Sequence, residues 1–398
     1  MFQVTEKMKK IPFEGGIREV LAAAEKMERE GRKIIHFEIG RPDYDSPMEA
    51  KKAAAEAVMG DYVHYSPIPG LRELCEGIAE WEGKKKGKTF NPDNQIIVTC
   101  GAVEAEMVSF VALTDPGDEV LILTPCFPAY MDQVVLAGAV PVTVPVNLGE
   151  SYAIDFDRLE KAVTPKTRMI IFNSPNNPTG ATISEEDLDR LCEFIVKHDL
   201  IAISDECYEE FLYEGTPLNI LSRPGMEERT ILANAFSKPF SMTGWRVGYA
   251  ITPPHYYKYL CKVHQLFTTS TCTFSQKGAV EALKSGQSQT KRMIEDFGKR
   301  RDVVLEALER CEGIACNRPK GAFYVFPSIE KLGMTALEFC SIMLEKEGVA
   351  LVPGDAFGLE KHVRIAYTCP VEAVREGMER FVRCYNQLYS SKEKEGSK

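Results

Sequence analysis

Lys238 and Arg246 stand eight residues apart in the segment ANAFSKPFSMTGWRVGYA, which opens with the end of a short apolar run. Desolvation after a strand lowers the pKa of a lysine, so its free amine can form a Schiff base with a carbonyl group. The planar guanidinium of an arginine binds a dianionic phosphate through two hydrogen bonds. Together the two residues predict one end of a pyridoxal phosphate site. For Lys238 alone, a surface lysine at a strand end is the alternative.

Two further apolar runs end in polar side chains that suit the same cofactor. Residues 169–172 lead into the turn NSPNNPTG, where Asn177 offers an amide to a ring hydroxyl or a carboxylate. The run LIAIS ends at Asp205, whose carboxylate can pair with a protonated pyridine nitrogen, and Tyr208 follows with a hydroxyl for the ring oxygen. Ligands of open α/β folds bind at the edge where such strands end. Helix capping, by Ser184 and by Asp205, is the ordinary alternative.

A fourth segment, IIVTCGAVEAEMVSFVAL, joins an apolar strand to a helix through a glycine. The first amide groups of a helix have no partner within it, and the helix dipole adds positive potential at the same end. Gly101, Ala102 and Val103 are therefore predicted to form a phosphate-binding cup.

The elements that position these residues alternate regularly along the chain. The strand-like runs IIVT, EVLILTP, PVTVPV, RMIIFNSP, LIAISDE, RTILANAF and RVGYAIT are mostly separated by helical segments. This alternation predicts an α/β fold with a mostly parallel sheet covered by helices on both faces. From about Gln276 the pattern becomes long helix, and GAFYVFPS and VRIAYTC predict a second, smaller sheet. No GxGxxG motif opens any of these helices, which argues against a dinucleotide-binding fold.

In order and approximate spacing, these segments resemble the class I aminotransferases, fold-type I enzymes that include the aspartate aminotransferases. The motifs that carry the resemblance are SPNNPTG, SDECYE, SKPFSMTGWRVG, PKGAFYVF and VRIAY, and it extends from IREVLAAAEKM to VRIAYTC. The resemblance implies a large domain over residues 45–280, built on a mostly parallel seven-stranded sheet sandwiched by helices. It also implies a smaller α+β domain made of residues 1–44 and 281–398.

Carried over position by position, the resemblance implies a role for each cofactor-site candidate. Lys238 resembles the Schiff-base lysine and Asp205 the partner of the pyridinium nitrogen. Tyr208 and Asn177 resemble the contacts of the ring oxygen. Arg246 resembles the arginine that binds the phosphate.

The resemblance also implies roles on the substrate side and at an interface. Arg364, in HVRIAYT, matches the arginine that binds the substrate α-carboxylate, with Gly40 adding a backbone amide. Phe127, in PCFPAY, matches the aromatic ring that stacks on the cofactor. Tyr65 matches the tyrosine that reaches the phosphate across the interface of a homodimer. Ser237 is expected to supply a hydroxyl to the phosphate.

The sequence departs from the family pattern at positions that concern the phosphate and the substrate. Ala235 stands where the family usually has glycine or serine, which is why the hydroxyl is assigned to Ser237. Val103 stands where some aspartate-specific relatives carry a lysine for the distal carboxylate. Arg41, beside Gly40, is a hypothetical determinant of dicarboxylic substrates, and a solvated loop arginine is the alternative.

The function implied is a pyridoxal-phosphate-dependent aminotransferase that moves an amino group between an L-amino acid and a 2-oxo acid by a ping-pong mechanism. A pyridoxal-phosphate-dependent carbon–sulfur lyase is an alternative, because the same scaffold supports eliminations. A non-enzymatic cofactor-binding regulator is another. The key residues of the first two look nearly identical, so the sequence leaves the donor, the acceptor and the reaction type open.

Composition excludes other classes of partner. The net charge of −10 gives no basic footprint for nucleic acid and argues against an anionic membrane surface. The 12 cysteines are scattered without paired C-x-x-C sets, which argues against a metal site or a disulfide framework and favours reduced thiols in the cytoplasm. The sequence contains no stretch of 18 uninterrupted apolar residues, so it predicts no membrane-spanning helix.

Overall fold

The structure is a computed structural model that describes residues 4–11, 17–148 and 152–396. The helices are α1 (Glu6–Lys9), α2 (Ile17–Arg29), α3 (Met48–Met59), α4 (Arg72–Lys86), α5 (Ala102–Leu113), α6 (Ala129–Ala137), α7 (Phe156–Ala162), α8 (Glu185–Lys197), α9 (Pro254–Thr268), α10 (Thr273–Ser285), α11 (Gln287–Leu308), α12 (Ala336–Ile342) and α13 (Val371–Gly396). The strands are β1 (Ile35–His36), β2 (Ile96–Thr99), β3 (Glu119–Thr124), β4 (Val140–Pro145), β5 (Asn147–Leu148), β6 (Tyr152–Ala153), β7 (Thr167–Asn173), β8 (Ile201–Asp205), β9 (Thr230–Ala235), β10 (Gly248–Ile251), β11 (Tyr324–Val325), β12 (Val349–Ala350), β13 (Val352–Pro353) and β14 (Val363–Ala366).

Seven strands form the main sheet in the order β2-β10-β9-β8-β7-β3-β4. Neighbouring strands are parallel except at β10, which runs antiparallel to both β2 and β9. Successive residues of a strand point to opposite faces, so Ile170 joins one buried apolar cluster and Ile171 joins another. Burial on both faces explains the near-continuous apolar runs of β8 and β9. The predicted fold, a mostly parallel sheet between helical layers, is confirmed.

The reversed strand β10 brings an additional loop to the edge where the parallel strands end. Gly248, its first residue, pairs with Thr99 at the end of β2 and with Ala235 at the end of β9. The loop before β10 therefore lies at the same sheet edge as the loops after β2 and β9. This places Arg246, just before β10, beside Lys238, just after β9.

Helix α8 begins as the sequence predicts. The hydroxyl of Ser184 accepts a hydrogen bond from the backbone N–H of Asp187 at 3.0 Å, which satisfies one of the free amides of the first turn. Glu185 and Glu186 add favourable negative charge at the same helix end. The helix then packs its apolar face on the main sheet, so the loop before it, which carries Asn177, is held at the sheet edge.

A second, three-stranded sheet has the order β11-β14-β13, and its strands are antiparallel. It includes parts of both predicted segments, GAFYVFPS and VRIAYTC. Strand β1 pairs with β12 in parallel, which connects the N-terminal segment to the C-terminal part of the chain. The division into domains at residues 45 and 280 stays a prediction.

The long helical region after Gln276 consists of two helices, α10 and α11, with a break at Gly286. A side chain at this position would place its Cβ 2.7 Å from both the ring of Phe240 and the carbonyl oxygen of Ala282. The close approach to Phe240 thus requires glycine at the joint. A pattern of apolar spacing alone does not reveal such a contact.

The sequence predicts reduced cysteines and no membrane-spanning helix. All twelve cysteines are free thiols. Among the helices in the described part of the chain, none is long and apolar enough to cross a bilayer.

Candidate active site

A cleft with an empty volume of about 620 Å³ lies at the carboxyl edge of the main sheet. It is lined by Ala102, Val103, Glu106, Phe127, Asn173, Asn177, Asp205, Cys207, Tyr208, Ala235, Ser237, Lys238, Thr243 and Arg246. The lining comes from the first turns of α5, from the ends of β7, β8 and β9, and from the loops after β3, β7, β8 and β9 and before β10. The structure therefore brings together most of the residues that were predicted to bind the cofactor.

The amine of Lys238 points into this cleft. Its Nζ donates a hydrogen bond to the carbonyl oxygen of Gly40 at 2.6 Å, and it lies 5.7 Å from the ring centre of Tyr208. Burial lowers the pKa of Lys238 to about 8, and the positive charges of Arg364 and Arg246 act in the same direction. At mildly alkaline pH the amine is therefore neutral in a large fraction of molecules, as a nucleophile or a general base requires.

Asp205, the last residue of β8, is held by three other residues. Its carboxylate accepts hydrogen bonds from the hydroxyl of Tyr130 and, at 3.0 Å, from the backbone N–H of Cys207. Its backbone carbonyl accepts a bond from the side-chain amide of Asn173 at 2.9 Å. Burial raises the pKa of Asp205, because a desolvated carboxylate lacks the stabilisation of water. A cation placed in the cleft would offset that cost.

Arg364, on β14 of the small sheet, is fully buried beneath the cleft, with 1% of its surface exposed. Its Nη1 donates to the side-chain oxygen of Asn177 at 3.1 Å and its Nη2 to the backbone oxygen of Glu38 at 2.6 Å. The guanidinium lies 4.8 Å from the ring centres of Tyr324 and Phe357. Its Nε has no partner within the described residues. A buried arginine with an unused donor suits an anionic ligand.

The predicted phosphate cup lies at the start of α5. Gly101 caps this helix with a φ of +80°, and a Cβ there would lie 2.5 Å from Nη2 of Arg246. The guanidinium of Arg246 is exposed and donates to the backbone oxygens of Cys100 at 3.0 Å and Thr243 at 3.1 Å. The arginine is thus fixed beside the N-terminus of α5, an arrangement that suits an anion because the first amides of a helix have no partner within it.

A buried group of charges lies behind the turn that carries Asp205 and Tyr208. Nζ of Lys86 on α4 contacts the carboxylates of Glu206 at 2.5 Å and Glu209 at 2.9 Å. Glu206 directly follows Asp205 and Glu209 directly follows Tyr208, so one ammonium group ties two points of this turn to α4. Although burial alone would raise its pKa, the ammonium groups of Lys85 and Lys86 lower the pKa of Glu209 to about 2.

Other predicted residues are placed less centrally. Phe127 lines the cleft and meets Tyr130 edge to face, with ring centres 5.7 Å apart. Ser237 also lines the cleft and is buried. Arg41 is exposed and makes no hydrogen bond or ion pair with any residue that the structure describes. Tyr65 is 85% exposed and lies outside the cleft of its own chain.

Several site residues were not identified from the sequence. Tyr130 and Asn173 hold Asp205, and the hydroxyl of Tyr324 lies 2.7 Å from that of Tyr208. Glu106 is buried in the cleft wall, and burial raises its pKa well above the usual range of a carboxyl. The available signals were a charged residue in the apolar stretch around Glu106 and a tyrosine in the motif PKGAFYVF. Neither signal shows which residue the glutamate or the tyrosine contacts in the folded protein.

Comparison with known proteins agrees with this geometry. The model of the family "Aminotransferase class I and II" matches residues 32–381. The chain is 41% identical to an aspartate aminotransferase of Pyrococcus abyssi over 354 residues, which cover 88% of this chain and 91% of that protein. It is 40% identical over 352 residues to aromatic-amino-acid aminotransferase 2 of Thermococcus litoralis, covering 87% and 90% of the two chains.

Solved structures extend the agreement to three dimensions. An aspartate aminotransferase of Thermus thermophilus with maleate matches with a TM-score of 0.91 at 35% identity, over 96% of this chain and 100% of that one. An aromatic aminotransferase of Pyrococcus horikoshii matches with a TM-score of 0.86 at 40% identity, over 92% and 99% of the two chains. The chain therefore belongs to the class I and II aminotransferases and is an aminotransferase.

Proposed function

We propose that this aminotransferase uses pyridoxal 5′-phosphate and exchanges an amino group between an L-amino acid and a 2-oxo acid by a ping-pong mechanism. One observation carries the proposal. One cleft is lined by the amine of Lys238, by the buried carboxylate of Asp205, and by Ala102 and Arg246 of the predicted phosphate cup.

The residues present fit this cofactor at each of its polar groups. The cup at the start of α5 would hold the phosphate, with Arg246 already oriented by its two backbone contacts. Asp205 would pair with the protonated ring nitrogen, which supplies the cation that its buried carboxylate lacks. Tyr208 and Asn177 would contact the ring oxygen. Phe127 would cover one face of the ring.

When bound, the cofactor supplies an electron sink that stabilises negative charge at the α-carbon of the substrate. Arg364 would bind the α-carboxylate through its planar guanidinium, and the backbone amide of Gly40 would add a hydrogen bond. Nζ of Lys238 would remove the α-proton as a general base and later deliver it as an acid. Its lowered pKa suits both steps, because proton transfer is most efficient when the pKa is near the working pH.

The substrate class is the finer part of the proposal. Arg41 is exposed, adjacent to Gly40 and without an internal partner among the described residues, so it is available to a second carboxylate. We therefore assign it to the distal carboxylate of dicarboxylic substrates. The two relatives named above act on different amino acids by their names, aspartate in one and aromatic amino acids in the other.

A homodimer is also part of the proposal. The end of α3 exposes Met59, the loop after it exposes Val63 and Tyr65, and the end of α9 exposes Leu266 and Phe267. Exposed apolar side chains that group into one patch mark interaction sites, and we assign these residues to an interface between two copies. A second copy would cover them and would receive Tyr65 at its phosphate cup. A cytoplasmic location, consistent with twelve free thiols, belongs to the same proposal.

The test is a spectral titration of the purified, cofactor-loaded protein with single L-amino acids and no acceptor. We expect one or more of them to convert the bound cofactor to its amine form and to yield one equivalent of 2-oxo acid. Lys238→Ala should bind the cofactor without completing the conversion. Accumulation of pyruvate and ammonia with an unchanged cofactor band would identify a lyase instead. A protein that binds no cofactor would overturn the proposal altogether.

A further inference from the structure

The hydroxyl groups of Tyr324 and Tyr208 form a pair in the interior of the site. Tyr324 begins β11 in the small sheet and has 1% of its surface exposed. Its hydroxyl oxygen lies 2.7 Å from that of Tyr208, and the two rings meet edge to face with centres 5.6 Å apart. The guanidinium of Arg364 lies 4.8 Å from the centre of the Tyr324 ring. Tyr324 therefore touches both the residue assigned to the cofactor's ring oxygen and the residue assigned to the substrate carboxylate.

The surroundings of Tyr324 leave its hydroxyl with a single polar partner. Within the described residues, the Tyr208 hydroxyl is the hydrogen-bonding group that it contacts. On another side it is packed against Gly40, where an added Cβ would lie only 2.4 Å from the hydroxyl oxygen. A buried hydroxyl proton without an acceptor is costly. The proton of Tyr324 must therefore be donated to Tyr208 whenever Tyr208 uses its own proton elsewhere.

Each tyrosine has one proton and can accept as well as donate. Burial raises the pKa of both phenols, so both protons are present at neutral pH. If the hydroxyl of Tyr208 donates to the ring oxygen of the cofactor, only one arrangement gives both hydroxyl protons an acceptor. In this arrangement the hydroxyl of Tyr324 donates to the oxygen of Tyr208. A phenol that accepts a hydrogen bond becomes a stronger donor, because the two bonds polarise one another.

We propose that Tyr324 is a positioning residue that donates a hydrogen bond to Tyr208 and thereby strengthens the bond from Tyr208 to the ring oxygen of pyridoxal phosphate. The inference rests on the proposed function. Its measurable consequence is the pH at which the visible absorption band of the bound cofactor titrates. A stronger bond to the ring oxygen withdraws negative charge from it, and less negative charge there holds the neighbouring proton less tightly. Tyr324 therefore lowers the midpoint of this titration.

The experiment compares Tyr324→Phe, Tyr208→Phe and the double variant, each loaded with pyridoxal phosphate and titrated without substrate. Tyr324→Phe keeps the ring over Arg364 and removes only the hydroxyl. We expect it to raise the midpoint by about half a pH unit, the size expected for one neutral hydrogen bond. Tyr208→Phe should raise the midpoint further. The double variant should match Tyr208→Phe alone, because Tyr324 acts through Tyr208.

Tyr385→Phe is the matched control, since Tyr385 is a buried tyrosine on α13 whose hydroxyl bonds a backbone oxygen far from the cleft. It should leave the midpoint unchanged. An unchanged midpoint in Tyr324→Phe, or a shift that adds fully to that of Tyr208→Phe, would overturn the inference while leaving transamination intact. A wild-type protein that forms no visible band would overturn the proposed function and this inference with it.

Discussion

Nη1 of Arg364 donates a hydrogen bond to the side-chain oxygen of Asn177 at 3.1 Å, and this bond joins β14 of the small sheet to the loop after β7 of the main sheet. The second nitrogen of the same guanidinium holds the backbone oxygen of Glu38 at 2.6 Å. One planar group thus fixes three segments of chain around the predicted carboxylate site. An ammonium group cannot reproduce two bonds in fixed, divergent directions.

We therefore expect Arg364→Lys to raise the KM for the amino acid about 10- to 100-fold, the equivalent of one or two charged hydrogen bonds. Steady-state kinetics with the best donor would measure it. Arg310→Lys is the control, because Arg310 makes a two-fold contact with Glu379 at the surface and should leave KM unchanged. Equal KM values for wild type and Arg364→Lys would contradict the assignment.

The lowered pKa of Lys238 predicts when its amine becomes reactive. Its pKa of about 8 means that the neutral form appears as the pH rises through 8, whereas an ordinary lysine stays protonated to about 10.4. Competitive acetylation of the cofactor-free protein, read by mass spectrometry of the Lys238 peptide, should reach half of its maximal rate near pH 8. The same peptide in the unfolded protein provides the reference and should lie about two units higher. Coincident curves would show that the folded site does not change this pKa.

Lys86 should matter for the stability of the Asp205 turn. Lys86→Met leaves Glu206 buried without its cation and leaves Glu209 paired with Lys85 alone, which we expect to cost about 3 kcal/mol of unfolding free energy at pH 7. Glu209 has a lowered pKa in the folded protein, so its contribution is present above the unfolded pKa of about 4.3 and is lost as the pH falls toward 2. Without Lys86 the acids take up protons at higher pH, so the difference from wild type should shrink on acidification.

Denaturant unfolding at pH 7 and pH 5 measures both effects. Lys84→Met, on the same helix, removes an exposed pair with Glu80 and should change the free energy of unfolding by less than about 1 kcal/mol. Equal effects of the Lys84 and Lys86 substitutions would mean that the buried contacts contribute little to folding.

Alanine substitutions at Gly101 and Gly117 distinguish the effect of backbone strain from a specific effect on the phosphate cup. Both have positive φ, +80° and +92°, so alanine strains the backbone at either site. Only at Gly101 would the new Cβ meet Arg246, whereas Gly117 has nothing within 4 Å. We expect Gly101→Ala to weaken cofactor binding at least tenfold and Gly117→Ala to leave it unchanged, as measured by equilibrium titration. Equal cofactor affinities in the two variants would contradict the assignment of Arg246 to the phosphate cup.

Arg41 gives the test of substrate class. Arg41→Gln should lower the ratio of activity with glutamate to activity with alanine about fivefold, the effect of losing one solvent-exposed charge contact. Arg375→Gln, an exposed arginine on α13, is the control. An unchanged activity ratio in Arg41→Gln would show that Arg41 does not contribute to substrate selection.

Much of the site follows from the sequence because polar residues at the ends of parallel strands must share one edge. This reasoning located Asp205 and Lys238, and the resemblance added Arg364. The contacts that complete the site could not be predicted, because they join distant parts of the chain. Tyr130 reaches Asp205 across 75 positions, and Tyr324 reaches Tyr208 across 116. Such pairings depend on side-chain direction after folding, which no local pattern contains.

In the fold, too, features that depend on neighbouring residues could be predicted, and features that depend on distant residues could not. The cap of α8 at Ser184 was predictable because its hydrogen bond spans three residues. The need for glycine at Gly286 was not, because it depends on the close approach of the distant ring of Phe240. The reversal of β10 likewise depends on which strands lie beside it, and an apolar run of four residues reads the same in either direction.

That reversed strand sets the order in which the site can be assembled during synthesis. Strand β2, which leads into the phosphate cup, is an edge strand joined to the sheet through β10 alone. Its partner residues, from Gly248 to Ile251, leave the ribosome long after β2 itself. A nascent chain that ends before Gly248 can pair β7, β8 and β9, but its β2 has no partner strand in the sheet. If the cup binds the cofactor as proposed, its phosphate site is complete only after β10 has emerged, so cofactor binding would come late in translation or after release.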